Sequence, residues 1–211
     1  MRRSLAKPHP RVAGVDDGAF HRADREAPIA AVVLSAPDYV ESIRTGRVTV
    51  DGTDATERVI DLLRATGPLE GVRALLLDGA VLGGFNVVHL DRVHRSLGLP
   101  VVAVTRRPPE FDRIRTALAK WFPRDATRRW KLLTAHRLFS VPTAGRPILA
   151  AAVGCSRRDA IQLIHRTTVR GYWPEPLRLA HLVASAGARG AIASRAKVKA
   201  RVRRPAPGPV A

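Results

Sequence analysis

Three aspartates follow apolar segments of the chain at the points where those segments end. Asp78 comes directly after three leucines in LLLDG, Asp16 ends RVAGVD, and Asp51 ends RVTVD. In an open sheet, residues just past the carboxyl ends of parallel strands gather at one edge, where ligands usually bind. Asp16 would therefore lie beside Asp78 if their strands are parallel neighbours. Asp51 and Asp54 lie where the third strand meets the first helix.

Carboxylates at such an edge predict a particular chemistry. Two that lie close together repel each other, so one stays protonated unless a cation is bound. Mg²⁺ or Mn²⁺ suits oxygen ligands, and Mg²⁺ typically takes one or two carboxylates, waters and substrate phosphate oxygens. Such an ion can activate water and offset the charge that builds on a phosphodiester under attack. The alternative is that each aspartate only forms a turn, since Asp-Gly is a common turn dipeptide.

His181 is the other candidate for chemistry, in the segment PEPLRLAH. It borders a stripe of mostly small apolar residues that we expect to pack on the sheet: Leu177, Ala180, Ala184 and Ala188. The ring would then either face the active edge or cap the core. Glu175 and Arg178 precede it by one or two helical turns, which allows a polar cluster around it.

Apolar runs and capping residues predict the elements that position these side chains. Strands are predicted at 11–16, 28–35, 46–52, 72–79, 99–105 and 147–154. Helices are predicted from Thr53 or Asp54 to the stop at 67–71, and at 86–98, 108–122, 156–171 and 173–190. The segment 123–146 is expected to hold a short helix and a hairpin strand. This order predicts an α/β fold, with an antiparallel meander feeding parallel crossover units in one mixed sheet and helices on both faces.

The composition limits the cellular setting and the partners. The 211 residues contain one cysteine, Cys155, which excludes an internal disulfide and favours a reducing cytoplasm. No apolar run approaches the roughly 20 residues that span a bilayer. A net charge of +18 predicts attraction to nucleic acid and argues less for a membrane, since no basic amphipathic helix stands out. The excess of arginine over lysine, with abundant alanine, could also reflect a GC-rich genome.

The distribution of charged residues and the absence of a linker also predict the domain organisation. Residues 1–9 form a basic lead-in, residues 10–188 one domain, and residues 189–211 a basic tail of disordered character. No repeat or linker divides the central part.

Four ordered motifs give the chain a resemblance to a known family. GVDDG at 14–18, VDGTDAT at 50–56, LDGAVLGGFNVV at 77–88 and PEPLRLAH at 174–181 resemble the endonuclease V superfamily, which has an RNase H-like fold. The chain is most similar to a related, mainly archaeal and uncharacterised family, the domain of unknown function numbered ninety-nine. The resemblance covers about residues 10 to 188.

The resemblance implies a catalytic set. Endonuclease V cleaves DNA or RNA near a deaminated base, with Mg²⁺ held by acidic residues. Asp16 and Asp78 match its first-strand and central-strand aspartates, and His181 matches the acid or histidine of its last helix. Asp54 stands in best for its remaining glutamate. The alternates or additional ligands are Asp51, Glu57 and Asp17.

One departure from endonuclease V bears on substrate choice. The segments YIPGFLSFRE and HPR, which serve strand separation and lesion handling there, have no counterpart in this chain. LGGFN replaces the second, and its Phe85 could stack on a base while Asn86 hydrogen-bonds one. Core packing and helix capping are the alternative roles for these two residues.

Three functions follow as hypotheses. The first is a Mg²⁺- or Mn²⁺-dependent nuclease acting on DNA or RNA, and the second is a nucleic-acid-binding protein that keeps the fold without the chemistry. The third is an enzyme acting on nucleotides or phosphometabolites. The sequence leaves open the oligomeric state and the choice between DNA and RNA.

Overall fold

Seven strands form one mixed sheet in the computed structural model, which describes residues 9–67 and 69–189. Across the sheet they lie in the order β3 (Tyr39–Thr49), β2 (Glu26–Ser35), β1 (Arg11–Asp17), β4 (Val72–Asp78), β7 (Val101–Thr105), β9 (Ile148–Val153) and β8 (Phe139–Val141). A separate two-stranded ribbon consists of β5 (Val81–Leu82) and β6 (Asn86–Val87).

The pairing of the strands confirms the predicted fold class. β1, β2 and β3 form an antiparallel meander, and β4 runs parallel to both β1 and β7. β9 returns antiparallel to β7 and carries the edge strand β8. β4 is central and covered on both faces, which explains why its sequence is almost continuously apolar.

Six helices of the described part cover the two faces of the sheet or extend from one edge. They are α1 (Ala55–Arg64), α2 (Leu90–Leu97), α3 (Phe111–Trp121), α4 (Ala126–Leu133), α5 (Arg157–Thr167) and α6 (Glu175–Arg189). Apolar residues of α1 and α2 pack on one face, whereas those of α5 and α6 pack on the other. No helix of the described residues is long and apolar enough to cross a membrane.

Several predicted boundaries differ from the structure. The helix predicted at 86–98 begins only at Leu90, because residues 86–87 pair with 81–82 in the ribbon. β3 begins at Tyr39 rather than 46, since its exposed first half lacks the apolar alternation that marks a half-buried strand. The segment 123–146 does contain a short helix and a hairpin strand, α4 and β8. The predicted lead-in, apart from His9, and nearly all of the predicted tail lie outside the described residues.

Candidate active site

The register of two parallel strands places Asp16 beside Asp78. In the β1–β4 pair Val15 lies opposite Leu77, so the next residue of each strand is the aspartate. Asp16 is only 3% exposed, and the negative charge of Asp78 raises its pKa, as expected for carboxyl groups that lie close together. Two carboxylates from distant parts of the chain therefore converge at the carboxyl ends of neighbouring strands, as the sequence predicted.

His181 joins this pair from α6. Its Nδ1 lies 3.0 Å from Asp16 Oδ2 and 3.2 Å from the backbone oxygen of Asp17. Two glycines allow α6 to approach β1 so closely: Gly14 within the strand and Gly18 directly after it. A Cβ at Gly14 would lie 2.5 Å from the carbonyl carbon of Pro176, and one at Gly18 would lie 2.5 Å from that of Ala184.

The protonation of the pair follows from its burial and crowding. The pKa of Asp16 is raised to about 7, mainly by burial; the hydrogen bond with His181 opposes the rise, and the negative charges of Asp78 and Asp17 add to it. Burial likewise raises the pKa of Asp78, against the lowering effect of Arg106. The hydrogen bond with Asp16 raises the pKa of His181. Near neutral pH Asp16 is therefore partly protonated, and a bound cation would displace that proton.

Arg106 completes the site, and the sequence argument missed it. Its Nη1 donates a hydrogen bond of 2.9 Å to Asp78 Oδ2, and its guanidinium carbon lies 3.7 Å above the ring of the buried Trp173. Arg106 directly follows β7, the neighbour of β4. Applying the strand-end rule to basic residues as well as to acidic ones would have found it.

Asp17 belongs to the opposite face of β1. Its Oδ2 accepts a hydrogen bond of 2.7 Å from the backbone N–H of Gly83, and burial raises its pKa. Its charge acts on Asp16, but its carboxylate holds the loop at residues 83–86. That loop lies next to the active edge for this reason.

Asp54 does not join the Asp16–Asp78 pair. Its carboxylate accepts hydrogen bonds from the backbone and hydroxyl of Thr49, from Arg58 Nε and from Asn86 Nδ2, at 2.6 to 3.2 Å. Partial burial raises its pKa, but these bonds outweigh that effect and hold it below the ordinary value. The structure thus gives Asp54 a bridging role between β3, α1 and the 83–86 loop, which differs from the metal-ligand role predicted for it.

Asn86 is unavailable to a base, contrary to one of its two predicted roles. It is fully buried, its Oδ1 accepts from the backbone N–H of Ala55, and its Nδ2 donates to Thr49 and Asp54. The capping alternative is correct, because Asn86 accepts a hydrogen bond from a backbone N–H in the first turn of α1. Phe85 packs edge-on against Phe122 with ring centroids 5.7 Å apart.

The remaining candidates form local hydrogen bonds or ion pairs with residues other than Asp16 and Asp78. Asp51 accepts from the backbone N–H of Phe85 at 2.8 Å. Glu57 forms an ion pair with Arg92 at 2.6 Å on the outer surface. Glu175 and Arg178 bind each other, with Arg178 Nε 2.7 Å from Glu175 Oε2.

A cavity of about 250 Å³ lies at the carboxyl ends of β4 and β7. Gly79 and Ala80, the two residues after Asp78, form part of its wall, and the rest is mostly apolar. Its other contributors include Phe85, Phe111, Leu132 and His136. Asp91 Oδ2 lies 2.9 Å from His136 Nε2 and holds that ring in the wall.

A comparison with known families decides the relationship. The family model described as Endonuclease dU matches residues 8–187. The chain belongs to the Endonuclease dU family. Among curated relatives, a UPF0215 protein of Methanosarcina barkeri is 34% identical over 180 residues, covering 85% of this chain and 91% of that protein. One from Thermococcus gammatolerans is 39% identical over 185 residues, covering 85% and 93%.

Solved structures similar to this Endonuclease dU family member confirm the predicted RNase H-like fold. A protein of unknown function from Archaeoglobus fulgidus has a TM-score of 0.75 and 32% identity, covering 83% of this chain and 96% of that one. Human endonuclease V has a TM-score of 0.58 and 20% identity, covering 89% of both. Ciona intestinalis endonuclease V, in complex with inosine-containing DNA, has a TM-score of 0.55 and 18% identity, covering 82% and 83%. The likeness to endonuclease V therefore holds for the fold.

The donor set fits a hard divalent cation. Asp16 and Asp78 supply buried oxygen donors, and their raised pKa values show that the protein environment leaves their negative charge undercompensated. Mg²⁺ commonly binds one or two carboxylates with waters completing its shell, which matches a pair at an open sheet edge. Within residues 9–67 and 69–189, no three His, Cys, Asp or Glu side chains form a preassembled metal cluster.

Proposed function

We propose that this protein is a divalent-metal-dependent endonuclease that hydrolyses a phosphodiester bond in DNA or RNA, with deoxyuridine-containing DNA as the first substrate to test. The observation that carries the proposal is the buried Asp16–Asp78 pair with His181 against it, at the carboxyl ends of two parallel strands. Structural neighbours of endonuclease V type and the family description support a nuclease.

Asp16 and Asp78 are the residues that would hold Mg²⁺ or Mn²⁺. When bound, the ion supplies Lewis-acid chemistry, in that it lowers the pKa of water and offsets charge on the phosphodiester. The chain must then give up the proton that Asp16 retains in its absence. His181 is in contact with that carboxylate at 3.0 Å and is the neighbour able to take part in this exchange.

His181 is suited to hold or move a proton at the active edge. Asp16 and the backbone of Asp17 fix the ring through Nδ1, and the side chain is 35% exposed, so the ring still reaches solvent. Its raised pKa keeps a larger share of the imidazole protonated near neutral pH. We assign it to orienting the attacking water or to supplying a proton to the leaving oxygen.

Arg106 is positioned to bind the scissile phosphate. It lies beside Asp78, and Trp173 supports its guanidinium from below. A planar guanidinium is well suited to a phosphate because it offers several N–H donors in a fixed arrangement. The same charge near the reacting group would stabilise a transition state that gains negative charge.

The substrate class rests on the family description and on the cavity. The description names deoxyuridine, and the Ciona intestinalis neighbour is bound to DNA that contains inosine. A mostly apolar space of about 250 Å³, whose wall includes the two residues after Asp78, has room for one base taken out of the stack. The net charge of +18 favours binding of the phosphate backbone around this site.

A second candidate is a nucleic-acid-binding protein without catalysis. The observation that favours it is the Arg106–Asp78 ion pair at 2.9 Å, which already neutralises one of the two proposed metal ligands. A pure binding protein would retain nucleic-acid affinity after loss of either aspartate and would not require metal.

One experiment separates the two candidates. End-labelled strands that contain deoxyuridine, inosine, a ribonucleotide or none of these are incubated with the full chain, with and without Mn²⁺. The proposal expects cleavage that needs the metal and is lost in Asp78→Asn but kept in Asp61→Asn, whose carboxylate is exposed on α1. Binding without cleavage of any strand would contradict the nuclease and support the second candidate.

A further inference from the structure

The helical hairpin formed by residues 111–133 extends from the sheet and is only lightly attached to it. It comprises α3 and α4, and each has a single buried residue, Leu118 and Arg129 respectively. Helices that pack on a core normally bury a continuous apolar stripe. Most of the outer surface of this hairpin therefore faces solvent.

The hairpin carries a concentrated positive charge. It contains seven lysines and arginines against two acidic residues. Arg115, Arg124 and Lys131 are exposed, and no ion pair or hydrogen bond ties their side chains to another residue within the described part of the chain. Exposed cations without partners are available to an anionic ligand at no cost in broken ion pairs.

Aromatic side chains lie among these cations. Phe111 is 40% exposed and Trp121 is 56% exposed, whereas a chain with only 5% aromatic residues has few to place on its surface. The Lys120 ammonium lies 4.9 Å from the Trp121 ring centroid. Cations for phosphates beside rings for bases are the combination by which proteins bind unpaired nucleic-acid strands.

Arg129 fixes the hairpin beside the candidate active site. Its guanidinium donates to the backbone oxygens of Phe85 and Asp51, and also to Asp125 within the hairpin at 2.9 Å. The 83–86 loop that receives these bonds is in turn held by Asp17 through Gly83. Phe111 and Leu132 also line the cavity next to Asp78. A strand bound on the hairpin would therefore lead to the reacting edge.

We propose that the exposed face of the 111–133 hairpin binds an unpaired segment of the nucleic-acid strand beside the bond to be cut. Arg115, Arg124 and Lys131 contact its phosphates, and Trp121 and Phe111 stack on its bases. The identity of the ligand as the substrate strand rests on the proposed function, but the surface itself follows from the charge and the exposed rings.

The test measures binding in EDTA, so that it does not depend on catalysis. Fluorescence anisotropy with a labelled single-stranded 20-mer compares the full chain with R115A/R124A/K131A. A matched control, R95A/R158A/R170A, removes the same charge from exposed arginines outside the hairpin. Each phosphate contact on a single strand contributes about 0.7 to the slope of log affinity against log salt, so the hairpin variant should lose roughly 2.

The expected result is at least a roughly tenfold weaker affinity for the hairpin triple variant than for the control triple variant. Trp121→Ala should weaken binding about 5- to 100-fold, as loss of one stacked base does, while Trp121→Phe retains most of it. Circular dichroism confirms that each variant is folded. Photo-crosslinking of iodouracil-containing strands should join the DNA to the hairpin.

Two outcomes would overturn the inference. One is equal affinity and equal salt slope for the two triple variants, and the other is crosslinking confined to residues outside 111–133. Preferred binding of an acidic peptide over the strand would assign the surface to a protein partner instead. Failure of the nuclease proposal would appear separately, as wild-type binding to the hairpin without metal-dependent cleavage.

Discussion

Asp16 and Asp78 lie side by side at the carboxyl ends of two neighbouring parallel strands, because Val15 and Leu77 before them are paired. Burial raises the pKa of both, and the negative charge of Asp78 adds to the rise at Asp16, while His181 approaches one carboxylate and Arg106 the other. Without metal, the positive charges that compensate this pair come from the protein itself. A metal ion bound by this pair, as proposed, would therefore compete with a proton on Asp16 and with the Arg106 guanidinium.

Loss of either carboxylate should abolish metal binding. Asp16→Asn and Asp78→Asn are each expected to lose measurable Mn²⁺ binding by titration calorimetry and at least about a hundredfold in cleavage rate. Asp61→Asn, on the exposed side of α1, should bind and cut as the wild type does. Unchanged Mn²⁺ affinity in both site variants would mean that the cation lies elsewhere.

The metal-free protein should become less stable as the pH rises from about 4 to 7. The unfolded chain releases the Asp16 proton near pH 4, whereas the folded protein holds it up to about pH 7. Across that window stability falls by up to about 1.4 kcal/mol per pH unit. The raised pKa of His181 acts in the same direction, since its stabilising charge is lost as the pH passes that pKa.

Thermal unfolding in EDTA at a series of pH values measures this effect. Asp16→Asn should flatten the decline because it removes the retained proton and the partner of His181, while Asp61→Asn leaves the slope unchanged. Added Mg²⁺ should restore stability mainly at the alkaline end, where it no longer competes with the proton. A decline of the same steepness in Asp16→Asn would show that other groups cause it.

Arg106 should oppose metal binding and yet assist cleavage. Arg106→Met removes a positive charge 2.9 Å from Asp78, so Mn²⁺ should bind roughly tenfold more tightly. The cleavage rate at saturating metal should nevertheless fall, because the phosphate loses its guanidinium partner. Arg107→Met, at the next, exposed position, serves as the control. Weaker metal binding in Arg106→Met would show instead that the ion pair organises Asp78 as a ligand.

Asp54 should affect the stability of the fold and not the binding of metal. Asp54→Ala leaves the amide of Asn86 and the groups of Thr49 without their acceptor, and Asn86 is fully buried. We expect a loss of about 1–3 kcal/mol in the free energy of unfolding, measured with urea, against little change for Asp61→Ala. Mn²⁺ affinity should stay within about twofold of wild type. Loss of Mn²⁺ affinity in Asp54→Ala would instead support the metal-ligand role that the sequence predicted for Asp54.

The sequence predicted those features that depend on local patterns. The apolar run at 72–79 predicted the strand β4, and the helix predicted from residue 156 is found as α5, with Ser156 accepting a hydrogen bond from the backbone N–H of Asp159. The pairing of Asp16 with Asp78 was also accessible, since it needs only the rule that carboxyl ends of parallel strands meet.

Features that depend on distant partners could not be predicted in this way. The role of Asp54 is set by Thr49 and Asn86, whose approach depends on how the 83–86 loop returns to α1. Residues 86–87, at the end of that loop, pair with residues 81–82 and delay the start of α2. Arg106 acquires its importance from Trp173, which belongs to a segment far along the chain. No spacing in the sequence encodes these contacts.

The close approach of α6 to β1 should be sensitive to a single methyl group. A Cβ at Gly14 would lie 2.5 Å from the backbone of Pro176, so Gly14→Ala must push the start of α6, and with it His181, away from Asp16. Overpacking of this kind costs about 1–3 kcal/mol of folding stability. Cleavage should fall at least about tenfold even in molecules that remain folded, because the role proposed for His181 requires its contact with Asp16.

Gly145→Ala provides the matched control for this last variant. A Cβ there would meet only the side chain of Tyr172, at 3.6 Å, and the backbone does not require glycine. Urea unfolding and single-turnover cleavage at saturating Mn²⁺ should therefore remain close to wild type in Gly145→Ala and decline together in Gly14→Ala. Full cleavage by a destabilised Gly14→Ala protein would show that His181 needs no fixed distance to Asp16, and its assigned role in proton transfer would have to be abandoned.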